Sequence, residues 1–162
     1  MRKIVTFLWL ESHAKEAAEL YVSLFDDAKI VNTSYVTESV AKEAGVKAGS
    51  VSSVDLELVG QNFTVLNGGP FYKRTEATSI LAACKDQAEI DKLWNALTKD
   101  GTILSCGWLT DKYGVTWQIV PDNLDEMMRD PDPAKANRVS VAMLSMEGKL
   151  DKAELERAYR GE

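Results

Sequence analysis

The chain has 162 residues, a net charge of −6, 45% hydrophobic and 27% charged residues. That balance fits one compact domain, at most two small halves sharing a core, and excludes a disordered chain. Acidic residues outnumber basic ones, 25 to 19, with no basic run among them, so nucleic acid is not an expected partner.

The two cysteines, Cys84 and Cys106, do not make a disulfide framework. No apolar stretch approaches the roughly 20 residues that span a bilayer. The apolar run at residues 4–10 follows Arg2 and Lys3 and stops at Glu11 without a small-residue cleavage site. It reads as a buried strand rather than a signal peptide. The expectation is a reduced, soluble, cytoplasmic protein with no membrane partner.

A helix follows the first strand. Ala14, Ala17, Ala18, Tyr21, Leu24 and Phe25 recur at spacings of three and four and share one face, with Ser12 as the expected N-cap. Residues 29–37 read as a second strand and residues 38–49 as a loop. Residues 50–59 alternate, meet Gly60-Gln61-Asn62, and continue into residues 63–66, which is a β-hairpin signal. Asn67-Gly68-Gly69-Pro70 ends it.

The same order then recurs. Residues 78–84 read as a strand. Residues 86–98 read as a helix with Ile90, Leu93, Trp94 and Leu97 on one face. Residues 103–109 read as a strand, Asp111 to Gly114 as a turn, and residues 115–120 as a strand closed by Pro121. A shift of 73 residues lays Thr6 on Ser79 and Leu20-Tyr21 on Leu93-Trp94. The order of elements predicts an α+β fold of two βαβββ modules, residues 1–74 and 75–123, forming an open barrel-like sheet around a cleft. A tail at residues 124–162 carries two helices, residues 134–146 and 151–159. Their apolar faces are expected to pack across the barrel or on a partner subunit.

Several segments together resemble one family: Leu8-Trp9-Leu10, AKEAAELYVSLF at 14–25, VLNGGPF at 65–71, KDQAEIDKLWNAL at 85–97, Cys106-Gly107-Trp108-Leu109, DKYGVTWQIVP at 111–121 and DPDPAK at 130–135. The resemblance is to the PhnB-like family, often labelled 3-demethylubiquinone-9 3-methyltransferase. That family belongs to the glyoxalase, bleomycin-resistance and extradiol-dioxygenase superfamily, also called vicinal oxygen chelate, and the likeness runs from residue 4 to residue 146. It implies the two-module open barrel, usually as a homodimer, but not one activity, because the superfamily carries unrelated chemistries on one scaffold. The methyltransferase label is not supported by the residues. Gly68-Gly69-Pro70 leads into Phe71-Tyr72-Lys73 and a further strand pattern, not into the helix that a glycine-rich cofactor turn requires.

Metal ligands in this superfamily are His and Glu on four strands. Alignment puts the four positions at Thr6, Leu66 or Asn67, Ser79 and Gln118. None is a strong ligand for a catalytic divalent ion, so no metal and no cofactor is expected. The only histidine, His13, reads as a solvated residue near a helix start. If Thr6, Ser79 and Gln118 face the cleft, alternation places Leu8, Leu10, Leu81, Ala83, Thr116 and Val120 beside them. Phe7, Trp9, Ile80, Cys84, Val115, Trp117 and Ile119 then face the helices.

The expected cleft therefore holds Thr6, Leu8, Asn67, Ser79, Leu81, Trp108, Thr116 and Gln118. It is apolar with a few neutral hydrogen-bonding groups and suits a small, largely uncharged ligand. Cys106 and Gln118 are the catalytic candidates if the protein is an enzyme, such as an isomerase, lyase or transferase. Cys106 would need an activating base, and Gln118 is restricted to hydrogen bonding an oxyanion. The leading expectation is a metal-free small-molecule binding protein, and the alternative is an enzyme in the same cleft. A third possibility is a structural or regulatory dimer with a vestigial pocket.

Overall fold

A computed structural model describes residues 4–162; Arg2 and Lys3, which precede the first apolar run, lie outside the described residues. The chain forms two compact units, one ending at Arg74 and the other running Thr75–Glu162.

The first unit contains β1 (Thr6–Leu10), α1 (Ala14–Leu24), β2 (Ala28–Tyr35), α2 (Glu38–Ala44), β3 (Val51–Leu58) and β4 (Gln61–Asn67). Its four-stranded sheet has the order β1-β4-β3-β2. The β1–β4 pair is parallel and the other two pairs are antiparallel. The second unit contains β5 (Ile80–Cys84), α3 (Gln87–Leu97), β6 (Thr102–Ile103), β7 (Trp108–Thr110) and β8 (Thr116–Pro121). Its sheet has the matching order β5-β8-β7-β6, again with first and last strands parallel. Both modules are βαβββ units, and neither sheet closes on itself.

The helices α1 and α3 bury the faces their spacing predicts. Ala14, Ala17, Ala18, Tyr21 and Leu24 are the buried residues of α1, and Ile90, Leu93, Trp94 and Leu97 those of α3. Asp86 caps α3 by accepting from the Glu89 N–H at 2.9 Å, while the Glu89 carboxylate accepts from the Lys85 N–H at 2.9 Å. The expected Ser12 cap of α1 is not formed. His13 occupies the N-cap in a left-handed conformation with no side-chain cap bond. The Ala14 N–H instead donates to Asn67 Oδ1 at 2.8 Å, and the Asn67 amide donates to the Val51 carbonyl at 2.9 Å. One side chain at the end of β4 therefore satisfies a free helix donor and ties down β3.

Two further expectations change. Residues 38–49 are not all loop, since α2 forms there with no buried residue. Its signals are at its ends: the Thr37 hydroxyl accepts from the Val40 N–H, and Gly45 closes it at φ 67°. The single strand expected at 103–109 is a hairpin joining β6 to β7. Cys106 and Gly107 turn it at φ 58° and 82°, and the Leu104 N–H donates to the Trp108 carbonyl at 3.0 Å. Cys106 is therefore a turn residue.

The C-terminal segment forms α4 (Leu124–Met128), α5 (Pro133–Ser145) and α6 (Lys152–Arg160). It packs within the second unit. Leu124, Met127, Val139, Met146, Leu150 and Leu155 form one buried cluster with Val120 of β8. The Cys106 and Gly107 N–H groups donate to the Met146 and Gly148 carbonyls at 3.2 and 2.7 Å. The tail is thus built onto the β6–β7 turn and the end of β8 in its own chain. No helix among the described residues is long and apolar enough to cross a membrane.

Candidate functional site

Strand register decides which side chains share a face, because directly paired residues point the same way. In the second unit Leu81 pairs with Gln118, and Gln118 with Trp108. Trp117, Ile119 and Leu109 are fully buried on the side of α3. The opposite face therefore carries the row Leu81–Gln118–Trp108 across β5, β8 and β7. Thr110 and Thr116 are paired beside it with their hydroxyls 3.5 Å apart. Leu81 is 56% exposed. The Gln118 amide donates to the Ser79 hydroxyl at 2.7 Å. That bond fixes the side chain and turns the Gln118 carbonyl oxygen away as an acceptor. The expected orientations of Ser79, Leu81, Ala83, Thr116, Gln118 and Val120 agree with this register.

The first unit has the opposite phase from the one expected. Thr6 pairs with Phe63, Leu8 with Val65 and Leu10 with Asn67. Phe63, Val65 and Leu10 are buried with the α1 face, so Thr6, Leu8, Leu10 and Asn67 point toward the helix. The Thr6 hydroxyl accepts from the Gln61 amide at 3.4 Å. Phe7 and Trp9 instead lie on the face away from α1, and Phe7 is 62% exposed. The cause is the linker length. Three residues, Glu11, Ser12 and His13, join β1 to α1, whereas Lys85 and Asp86 alone join β5 to α3. A shift of 73 residues superposes the helices, but the strands need 74. A one-residue slip carries every strand side chain to the other face. By register the counterpart of Gln118 is Thr64, not Leu66 or Asn67.

The face away from α1 thus carries the row Phe7–Thr64–Asp55–Asn32 across all four strands. The Thr64 hydroxyl donates to Asp55 Oδ1 at 2.6 Å. The Asn32 amide lies 3.5 Å from Asp55 Oδ2. Asp55 was not singled out by sequence reasoning, because one acid in an alternating strand looks like a solvated position. The pairing register of β3 and β4 is the signal that places it.

Other polar groups of the two units have structural partners. The Gly68 and Gly69 N–H groups donate to the Leu10 and Glu11 carbonyls at 2.8 and 3.1 Å, and the Gly69 carbonyl accepts from the Trp9 indole at 2.9 Å. Asp111 holds its own turn and is 3% exposed. His13 is exposed and lies 3.5 Å from Glu16. Asp122 pairs with Lys152 at 2.9 Å, which holds its carboxyl below the usual range.

The two thiols differ. Burial, followed by the nearby Glu89, Asp86 and Asp122 carboxylates, pushes the Cys84 thiol up to about 11. Cys106 is half-buried, and its thiol has no hydrogen bond among the described residues. Only the thiolate attacks a disulfide reagent. An aromatic disulfide at about pH 8 is expected to label Cys106 first, with Cys84 reacting only after denaturation. Equal rates for both thiols, or a fast phase that survives Cys106→Ser, would contradict this.

Among the described residues no three His, Cys, Asp or Glu side chains are grouped to hold a metal ion. The paired rows offer hydroxyl, amide and indole groups and one carboxylate, which do not fit the His and Glu ligand set of the superfamily.

Comparison with known proteins agrees with the fold. The family model described as 3-demethylubiquinone-9 3-methyltransferase matches residues 2–120. No curated protein matches the chain. Among solved structures, a Bacillus cereus protein described as a 3-demethylubiquinone-9 3-methyltransferase, PhnB protein, is 36% identical. It covers 74% of this chain and 99% of its own, with a TM-score of 0.65. A Pseudomonas aeruginosa protein is 19% identical, covers 75% of this chain and 98% of its own, and has a TM-score of 0.58. With its two βαβββ modules and this match over most of its length, the chain belongs to the PhnB-like family and has a glyoxalase-superfamily-like fold.

Proposed function

We propose that the protein is a metal-free binding protein for a small, largely uncharged organic molecule, held on the face of the second sheet away from α3. The observation that carries this reading is the Leu81–Gln118–Trp108 row. It offers an exposed aliphatic side chain, an indole surface and a fixed amide oxygen. An apolar wall with one or two oriented polar groups is the usual make-up of a small-molecule site. The Trp108 indole N–H and Gln118 oxygen have no hydrogen-bond partner among the described residues, so a hydroxyl or carbonyl ligand would satisfy both.

Chemistry beyond binding has less support. No base or cation is hydrogen bonded to the Cys106 thiol, and Gln118 has no proton to exchange near neutral pH. Methyl transfer of the common type uses a doubly wound parallel sheet with a glycine-rich turn. Both sheets here are mixed, and the Gly68-Gly69 N–H groups are already bonded to the chain. A two-fold cytoplasmic homodimer completes the proposal on the strength of the family resemblance.

The test is a titration with 2-naphthol, a neutral aromatic alcohol, followed by amide and indole resonances. Saturable shifts confined to β5, β7 and β8, without change in the naphthol, are expected. Trp108→Ala should weaken binding by about tenfold. Chemical conversion of the probe, or affinity unchanged in Trp108→Ala, would overturn the reading.

A further inference from the structure

The first sheet carries a charge that its own fold does not neutralise. Three charged side chains, Lys29, Asp55 and Glu57, share the face away from α1, since Lys29 pairs with Glu57 and Glu57 lies two residues from Asp55. Lys29 Nζ is engaged by Glu57 at 3.3 Å. Asp55 has no ion-pair partner among the described residues. It is half-buried, and its two oxygens are held by neutral donors, the Thr64 hydroxyl and the Asn32 amide. Removing a carboxylate from water without a counter-charge costs free energy, so a fold that only needed packing would place an apolar or neutral residue there. Thr64 is 8% exposed and aims its hydroxyl at Asp55, which fixes one oxygen and leaves the other held only by the long 3.5 Å contact to Asn32.

The same row ends in an aromatic. Phe7 pairs with Thr64, and Thr64 with Asp55. Two strand spacings therefore separate Phe7 from Asp55, roughly 10 Å. Phe7 is 62% exposed, a large apolar side chain that the sheet does not use for its own core. A ligand lying across the strands would meet a ring at one end and an unpaired carboxylate at the other. We propose that the Phe7–Thr64–Asp55–Asn32 row binds a small organic cation, an aryl-alkyl ammonium, with its ring against Phe7 and its ammonium on Asp55. A charge-assisted hydrogen bond to a carboxylate is about twice as strong as a neutral one. All four residues of this row belong to the first sheet, and its ligand is positively charged whereas the ligand proposed for the second sheet is neutral.

The experiment uses 2-phenylethylammonium and its neutral counterpart 2-phenylethanol, titrated into the full chain and followed by calorimetry and backbone amide resonances. The ammonium is expected to saturate with shifts in β3 and β4, and the alcohol to bind about tenfold more weakly. Asp55→Asn should lower the ammonium's affinity about tenfold and leave the alcohol's unchanged. Raising sodium chloride from about 50 to about 500 mM should weaken ammonium binding in the natural protein but not in the variant. Phe7→Ala alters an exposed residue, so it keeps the test open if Asp55→Asn fails to fold, and it should lower both affinities about fivefold. Equal affinity for ammonium and alcohol, no effect of either substitution, or no saturable shift in β3 and β4 would overturn the proposal. Shifts confined to β5, β7 and β8 would also overturn it while leaving the neutral site standing.

Discussion

Asp111→Ala is expected to lower the unfolding free energy by about 3–5 kcal/mol. The carboxylate is 3% exposed and accepts three hydrogen bonds. Oδ1 takes the Tyr113 and Val115 N–H groups at 2.9 and 3.0 Å, and Oδ2 takes the Trp117 indole N–H at 3.0 Å. Trp117 is fully buried, so its indole N–H has no access to water once Asp111 is gone. Each buried donor left without a partner costs about 1–3 kcal/mol. Asp111→Asn keeps the shape but turns one acceptor into a donor, so about half of that loss is expected. The measurement is urea unfolding followed by tryptophan fluorescence, with the slope checked against the natural protein. A loss below about 1 kcal/mol for Asp111→Ala would mean that water or a rearranged turn replaces the carboxylate. The turn also sets the register of β7 against β8 and hence the pairing of Trp108 with Gln118.

The parts of this fold that were legible in the sequence are those where many residues repeat one signal. Five buried positions define the face of α1 and four that of α3, so no single residue had to carry the inference. The turn at Asp111–Gly114 was legible because aspartate and glycine have local reasons to sit there. The features that were missed each depended on one residue. Nothing in α2 is buried, so it has no apolar period, and only Thr37 and Gly45 mark it. The β6–β7 hairpin turns on Cys106 at φ 58°, a conformation that cysteine does not advertise. The phase of β1 hung on one extra linker residue before α1. Half of the candidate site followed from that phase. Leu81 and Gln118 share a face as alternation predicts, while the shared face of Phe7, Thr64 and Asp55 emerged only with the register.

Gly68 shows how closely that first sheet is tied to its own loop, and Gly68→Ala is the second substitution expected to have a large effect. A Cβ at this position would lie 2.1 Å from Trp9 Cε2 and 2.4 Å from two further ring atoms. The indole cannot simply swing aside. Its N–H donates to the Gly69 carbonyl at 2.9 Å, and Tyr72 packs edge-on with ring centroids 4.9 Å apart. The Arg74 guanidinium also holds the Trp9 main-chain carbonyl at 2.5 Å. Displacing a ring pinned in this way is expected to cost about 3 kcal/mol. The neighbouring glycine separates the two possible causes. Gly69 sits at φ 79°, and a Cβ there meets nothing closer than Phe71 at 3.6 Å. Gly69→Ala should therefore cost only the backbone penalty of about 1–2 kcal/mol. A double-mutant cycle tests the steric account. In a Trp9→Ala background the cost of Gly68→Ala should shrink to a few tenths of a kcal/mol, while that of Gly69→Ala should persist. If Gly68→Ala remains as costly without the indole, the glycine is required for its backbone and the ring is incidental. Trp9 lies one row from Phe7 and Asp55 on the same face. A displaced ring should therefore also weaken 2-phenylethylammonium, whereas the backbone effect at Gly69 should leave that affinity unchanged.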